Sequence, residues 1–235
     1  MTPRTKLLYR PGRFVCRMFF RLFGGVQVFG KEHLPAFGAF LICANHTSLL
    51  DPPAVGVACP LPVAFLAKLE LFRIPVFGWL IGALQSIPVD RSQLSKGTLA
   101  EIARMLEGGI PVLVFPEGTR SRTGQLGTGK AGLGLLARKM AVPLVPAYVH
   151  GTSLWPRTWR TERRMSVTFA APIPVAWVTE TAAQRSGYQE IADRIMREIQ
   201  TLRDRRVAAL VPYSALAARA GLGENELYAR MGKSR

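Results

Sequence analysis

Ala39-Phe40-Leu41-Ile42-Cys43-Ala44-Asn45-His46-Thr47-Ser48-Leu49-Leu50-Asp51-Pro52-Pro53 runs from an apolar segment into a polar turn and then into two prolines. Residues 39–43 have the length and composition of a buried strand. Thr47 and Ser48 can hydrogen-bond their own backbone, and the prolines favour a helix beginning at Pro52 with Asp51 extended before it. His46 and Asp51 are five positions apart. That spacing sets them roughly 140° apart on a helix and on opposite faces of a strand, so only a turn lets them meet. The stretch therefore reads as strand, tight turn and helix start, with Asp51 folding back to His46. A carboxylate on one imidazole nitrogen fixes the tautomer and leaves the other nitrogen free to take a proton, which is the chemistry of a general base. Two plainer roles stay open at this point: Asp51 as a simple helix cap, and His46 as a satisfied polar residue at a strand end.

Working outward, the same alternation repeats. Residues 26–29, 63–67, 86–90, 110–115, 144–149 and 165–169 are short apolar runs of strand type. Between them lie helical patterns. Ser92 or Ser95 can cap a helix carrying Leu99, Ile102, Ala103 and Leu106 that stops at Gly108-Gly109, and a second helix ends near Met140. Residues 187–207 place Ile191, Ile195 and Ile199 on one helical face, with Arg203, Arg205 and Arg206 read as a solvated face. This order predicts an α/β fold with a mostly parallel or mixed central sheet flanked by helices, and with sites at the carboxyl ends of the strands. His46, Arg91, Glu117 and Arg120 all follow strands in this reading.

The chain has 235 residues, enough for one full core, and 31 basic against 15 acidic residues give a net charge of +16. An acidic partner is expected: nucleic acid, anionic lipid or a phosphorylated substrate. No acidic residue precedes Glu32, whereas Arg10, Arg13, Arg17 and Arg21 form a helical stripe beside Val15, Met18, Phe19, Leu22 and Phe23. The first 24 residues thus read as a basic amphipathic helix suited to an anionic membrane surface, with a helix packed on the core as the competing possibility. Mean hydropathy is +0.16, yet no uncharged apolar run reaches the about eighteen residues needed to span a bilayer. The expectation is a chain that lies on a membrane and, without a cleavable signal pattern, stays in the cytosol. Residues 69–84 are apolar but interrupted, and read either as core helices or as a wall for an acyl chain. Cys16, Cys43 and Cys59 show no paired or metal-binding spacing, so neither a disulfide nor a metal is expected.

Four blocks in order resemble the glycerolipid acyltransferase family, in particular bacterial 1-acyl-sn-glycerol-3-phosphate acyltransferases. They are Asn45 to Asp51; Gly82 with Ile87-Pro88-Val89-Asp90-Arg91; Phe115-Pro116-Glu117-Gly118-Thr119-Arg120-Ser121; and Val142-Pro143-Leu144-Val145-Pro146-Ala147-Tyr148-Val149. The resemblance implies that His46 is the general base and Asp51 its orienting partner. It assigns Arg91, Glu117, Gly118, Thr119, Arg120 and Lys130 to substrate binding. It further implies transfer of a fatty acyl group from a thioester, acyl-coenzyme A or acyl-acyl carrier protein, to lysophosphatidate, with no cofactor, at the cytoplasmic face of the inner membrane. Residues 1–24 are then the membrane-interface segment, 25–210 the acyltransferase domain and 211–235 a helical tail. Pro88 and Thr128-Gly129 depart from the common pattern.

The residue types agree with that chemistry, because arginines bind phosphate through two parallel hydrogen bonds and a glycine allows close backbone approach. Glu117, which would repel a phosphate, is expected to position the glycerol hydroxyl or to hold Arg120. Structural ion pairs of Arg91 and Arg120 with Asp90 and Glu117 compete with a phosphate clamp. A non-enzymatic basic module binding membrane or nucleic acid would explain the charge but not the His46 and Glu117 blocks, and no aromatics interleave the basic clusters as nucleic-acid stacking needs. A covalent route through Cys43 or Cys59 is a third reading.

Overall fold

The computed structural model describes residues 3–36, 38–75, 78, 81–82, 86–89, 95–154 and 165–219. Seven strands form one sheet: β1 (Val26–Phe29), β2 (Leu41–Ala44), β3 (Ala64–Lys68), β4 (Ser86–Val89), β5 (Val112–Val114), β6 (Leu144–His150) and β7 (Met165–Phe169). Their order is β1-β7-β6-β2-β5-β3-β4. Every pairing is parallel except β6 with β7, so β7 and β1 run against the other five. Parallel strands need crossovers, and helices supply them: α2 (Asp51–Ala58) after β2, α3 (Lys96–Glu107) after β4 and α4 (Ala131–Met140) after β5. Helix α1 (Pro3–Leu22) precedes the sheet, and α5 (Val175–Glu180) and α6 (Arg185–Arg219) follow it.

The strand pleat sorts the core into two layers. Leu41, Cys43, Val112, Val114 and Leu144 pack on one face with Ile102, Leu136, Ile191 and Ile195. Phe40, Ile42, Leu113, Val145 and Val167 pack on the other with Phe20, Ala54 and Val55. A sheet covered on both faces explains why these strands are continuously apolar rather than alternating. The local signals hold in detail: Ser95 caps α3 by accepting the N–H of Thr98 at 3.1 Å, and the turn after it contains Gly109 at φ 72°. Helix α6 is longer than the 187–207 pattern and continues unbroken through residue 210, where a separate tail was expected to begin.

Helix α1 is not an appendage. Tyr9 and Phe20 are buried, and the Tyr9 hydroxyl accepts the N–H of Val63 at 3.0 Å. The Arg13 guanidinium donates to the carbonyls of Pro60, at 2.9 Å, of Val57 and of Cys59, capping the carboxyl end of α2. The arginine stripe therefore splits. Arg10, Arg17 and Arg21 face outward with Phe14, Val15 and Leu22, each of the three apolar side chains about two-thirds exposed at 64%, 65% and 66%, while Phe19 and Phe23 pack toward the protein. At the other end of the chain, Arg203 and Arg206 are not a solvated face. Arg203 donates to Gln125 at 2.7 Å and bonds Tyr148; Arg206 donates to Gln27 at 3.1 Å and lies over the Phe29 ring. Among the described residues, no helix is long and apolar enough to cross a membrane.

Candidate active site

Register brings the functional segments together. Ala44 of β2 pairs with Ala147 of β6, and Cys43 pairs with Val114 of β5, so β2 and β5 end within one residue of each other while β6 runs on to His150. Asn45 then locks two of the exits: its amide donates to Val149 O at 3.0 Å and accepts Val149 N–H at 2.7 Å. His46, the next residue, emerges beside Phe115, whose ring it stacks on at 3.9 Å.

Asp51 does fold back. Its Oδ2 lies 2.8 Å from His46 Nδ1 and also accepts the N–H groups of Thr47 and Ser48 at 2.6 and 2.7 Å. Its Oδ1 accepts the hydroxyl of Thr152 at 2.5 Å. Four donors surround a fully buried carboxylate. Every group that meets it can donate, and it stands at the amino-terminal end of α2. The helix starts at Asp51 itself, one residue before the expected Pro52, with Ala54 N–H bonded to Leu50 O at 3.0 Å. Pro52 and Pro53 lack N–H groups, so the first turn can begin earlier without leaving donors unpaired.

Glu117 stands elsewhere than expected. It is buried, and its two oxygens accept the backbone N–H groups of His46 at 3.1 Å and Gly127 at 2.9 Å. No ion pair joins it to Arg120. Its carboxylate straps the histidine turn to the glycine-rich loop that follows β5. At Gly127 a Cβ would sit 2.9 Å from the Glu117 carboxylate, so any larger residue there would push that carboxylate from its place. Ser121 N–H closes the same link from the other side, donating to His46 O at 2.7 Å. Gly118 adopts φ 68°, a left-handed conformation, and the Lys130 side chain packs over it close enough to meet an added Cβ at 3.0 Å. Thr119, Arg120 and Lys130 are exposed at this rim. Arg91 and Asp90 lie outside the described residues.

A 370 Å³ pocket opens beside the pair, within the size range of small-molecule sites. His46, Phe115 and Arg120 line it, and its walls are chiefly apolar, from Pro53 and Val57 of α2 to Phe65 of β3, Leu71 and Ile81. The 69–84 segment thus contributes to the wall. So does α1, through Tyr9, Arg13 and Cys16. The cysteines do not suit a nucleophile: Cys43 is fully buried within β2, which drives its thiol far up, and burial pushes Cys59 to about 11. Thr152 was missed in the sequence, since it lies beyond all four blocks and nothing local marks it.

An imidazole–carboxylate pair at the strand exits of an α/β sheet, with an apolar pocket on one side and cations on the rim, is the layout of a group-transfer enzyme for an amphiphilic substrate. The acyltransferase family model matches residues 25–150, and the chain belongs to that family. It is 33% identical over 138 residues to the 1-acyl-sn-glycerol-3-phosphate acyltransferase of Bacillus subtilis, spanning 58% of this chain and 68% of that protein. The Pseudomonas aeruginosa enzyme of the same name is 37% identical over 100 residues, 41% of this chain and 38% of its own length. The crystal structure of the 1-acyl-sn-glycerophosphate (LPA) acyltransferase PlsC from Thermotoga maritima superposes with a TM-score of 0.63 at 29% identity, covering 85% of this chain and 84% of that one.

Proposed function

We propose that the protein transfers a fatty acyl group from a thioester to the free hydroxyl of 1-acyl-glycerol-3-phosphate, forming phosphatidic acid, with His46 as general base and Asp51 as its orienting partner. The observation that carries this reading is the 2.8 Å His46–Asp51 pair, with His46 lining a chiefly apolar pocket. The names of the relatives supply the acceptor. With Nδ1 holding the proton shared with Asp51, Nε2 keeps its lone pair. It takes the proton of the acceptor hydroxyl as the oxygen attacks the thioester carbonyl. The tetrahedral intermediate collapses with loss of the thiolate, which recovers the proton from the imidazolium and leaves as a thiol. Arg120 and Lys130 on the rim meet the acceptor phosphate, and the apolar pocket takes an acyl chain. Coenzyme A and acyl carrier protein present the same thioester, and the rim chemistry suits either.

The outward side of α1 places Arg10, Arg17 and Arg21 among exposed Phe14, Val15 and Leu22. That combination fits the interface of an anionic bilayer, where both lipid substrate and lipid product reside, and the reading places the protein on the cytoplasmic face of the inner membrane. The test is to incubate purified protein with anionic vesicles, each thioester in turn, and either lysophosphatidate or a lyso-aminolipid, with products read by mass spectrometry. Phosphatidic acid formation is expected. Acylation of the lyso-aminolipid alone, or of neither, overturns the assignment.

A further inference from the structure

We propose that Thr152 is a positioning residue of the catalytic pair, holding Asp51 in the orientation that His46 requires. The inference rests on the reading of His46 as general base. A carboxylate that accepts three hydrogen bonds on Oδ2 alone can still pivot about that oxygen. The Thr152 hydroxyl fixes the other oxygen: it donates to Oδ1 at 2.5 Å, from a residue that is itself buried. With two oxygens held from two different segments, the carboxylate plane is set. The imidazole bonded to it is set as well, since its other constraint, stacking on Phe115, allows rotation within the ring plane.

The placement of Thr152 is itself built. It follows β6 by two residues, in the short helical turn Thr152–Leu154. The end of β6 is clamped to the end of β2 by the paired Asn45–Val149 hydrogen bonds. The same strand exit that carries His46 therefore locates the hydroxyl that steadies its partner. Thr47 Oγ1 lies 3.5 Å from Thr152 Oγ1. A hydroxyl has one proton and two lone pairs, so Thr152 gives its proton to the carboxylate and can accept from Thr47.

Thr152→Val removes the hydroxyl and keeps the branched shape; Thr152→Ser keeps the hydroxyl. His46→Ala is measured beside them. Misorientation of a reacting group costs up to about 100-fold in rate. Thr152→Val is expected to lower kcat roughly 10- to 100-fold with both KM values unchanged, and Thr152→Ser to restore it. In the wild type the Nδ1 proton of His46, assigned by its absence in His46→Ala, should exchange slowly with water by NMR, and faster in Thr152→Val. If Thr152→Val does not fold, Thr152→Ala takes its place in the same comparison. Wild-type kcat in the hydroxyl-less variant with His46→Ala inactive overturns the positioning role and leaves the base intact. A loss that Thr152→Ser does not restore also overturns it. An active His46→Ala removes both readings.

Discussion

Glu117 Oε1 accepts the backbone N–H of His46 at 3.1 Å, so this carboxylate holds the turn that carries the His46–Asp51 pair. Glu117→Ala leaves the buried N–H of His46 without its acceptor, at a cost of about 1–3 kcal/mol, and frees the more exposed N–H of Gly127. The variant should unfold at clearly lower denaturant concentration and lose kcat, with acceptor KM little changed. A raised acceptor KM in a stably folded variant would mean that the carboxylate touches substrate instead.

His46→Ala should lower turnover roughly 10²- to 10⁴-fold, the range for loss of a general base. Asp51→Asn should fall comparably. An amide nitrogen in place of either oxygen would face the donors of Thr47 and Ser48 or of Thr152, so the imidazole could no longer be held as it is. Steady-state rates with circular dichroism as a folding control decide both.

Arg120→Lys replaces a planar fork with a point charge, and Lys130→Ala removes a cation from the same rim. Both should raise the KM for lysophosphatidate about 10-fold or more, the scale of one hydrogen bond to a charged group, while donor KM stays constant. A phosphate-free lyso-acceptor should be a poor substrate and insensitive to either change. Equal use of the two acceptors by the wild type would remove the phosphate clamp.

Deleting residues 1–24 should abolish activity as well as vesicle binding, because Tyr9 and Arg13 are lost from the pocket wall and from the end of α2. The membrane role is isolated by outward substitutions. Leu22→Ser with Arg17→Gln should weaken binding to anionic vesicles, Arg17 contributing about 1 kcal/mol, and leave thermal stability unchanged. Sedimentation with vesicles at low and high salt measures this, and undiminished binding would count against α1 as the membrane face.

The thiols supply a pH test. Burial raises Cys59 from an ordinary 9.0 to about 11, so the folded state keeps a proton that the unfolded chain releases above pH 9. Stability from this source is complete below pH 9 and declines by about 3 kcal/mol as pH rises to 11. Cys59→Ala should flatten that part of the stability curve in denaturant titrations. It should also leave kcat intact near neutral pH, as should Cys43→Ala if no acyl-cysteine forms.

Much of the fold was legible because its signals are local. The strand at 165–169, the serine cap of α3 and the buried isoleucines of α6 each follow from neighbouring residues, and the meeting of His46 with Asp51 follows from a turn and two prolines. The reversal of β7 and β1 was not legible, since a doubly covered strand is apolar in either direction. Glu117 and Thr152 were opaque for a related reason. The first bonds backbone amides, which carry no residue identity, and the second reaches Asp51 from 101 positions away. Arg13 looked like its stripe-mates because only the carbonyls at the end of α2 distinguish it.

Pro52 and Pro53 do more than start a helix. An aspartate at this place in a helix is ordinarily drawn to the free amides of its own first turn, and here those amides do not exist. The Asp51 side chain is released from its own helix and serves residues outside it. Pro52→Ala with Pro53→Ala would return two rival donors within reach of the carboxylate, so a change that leaves every catalytic side chain in place would set helix and histidine in competition for one aspartate.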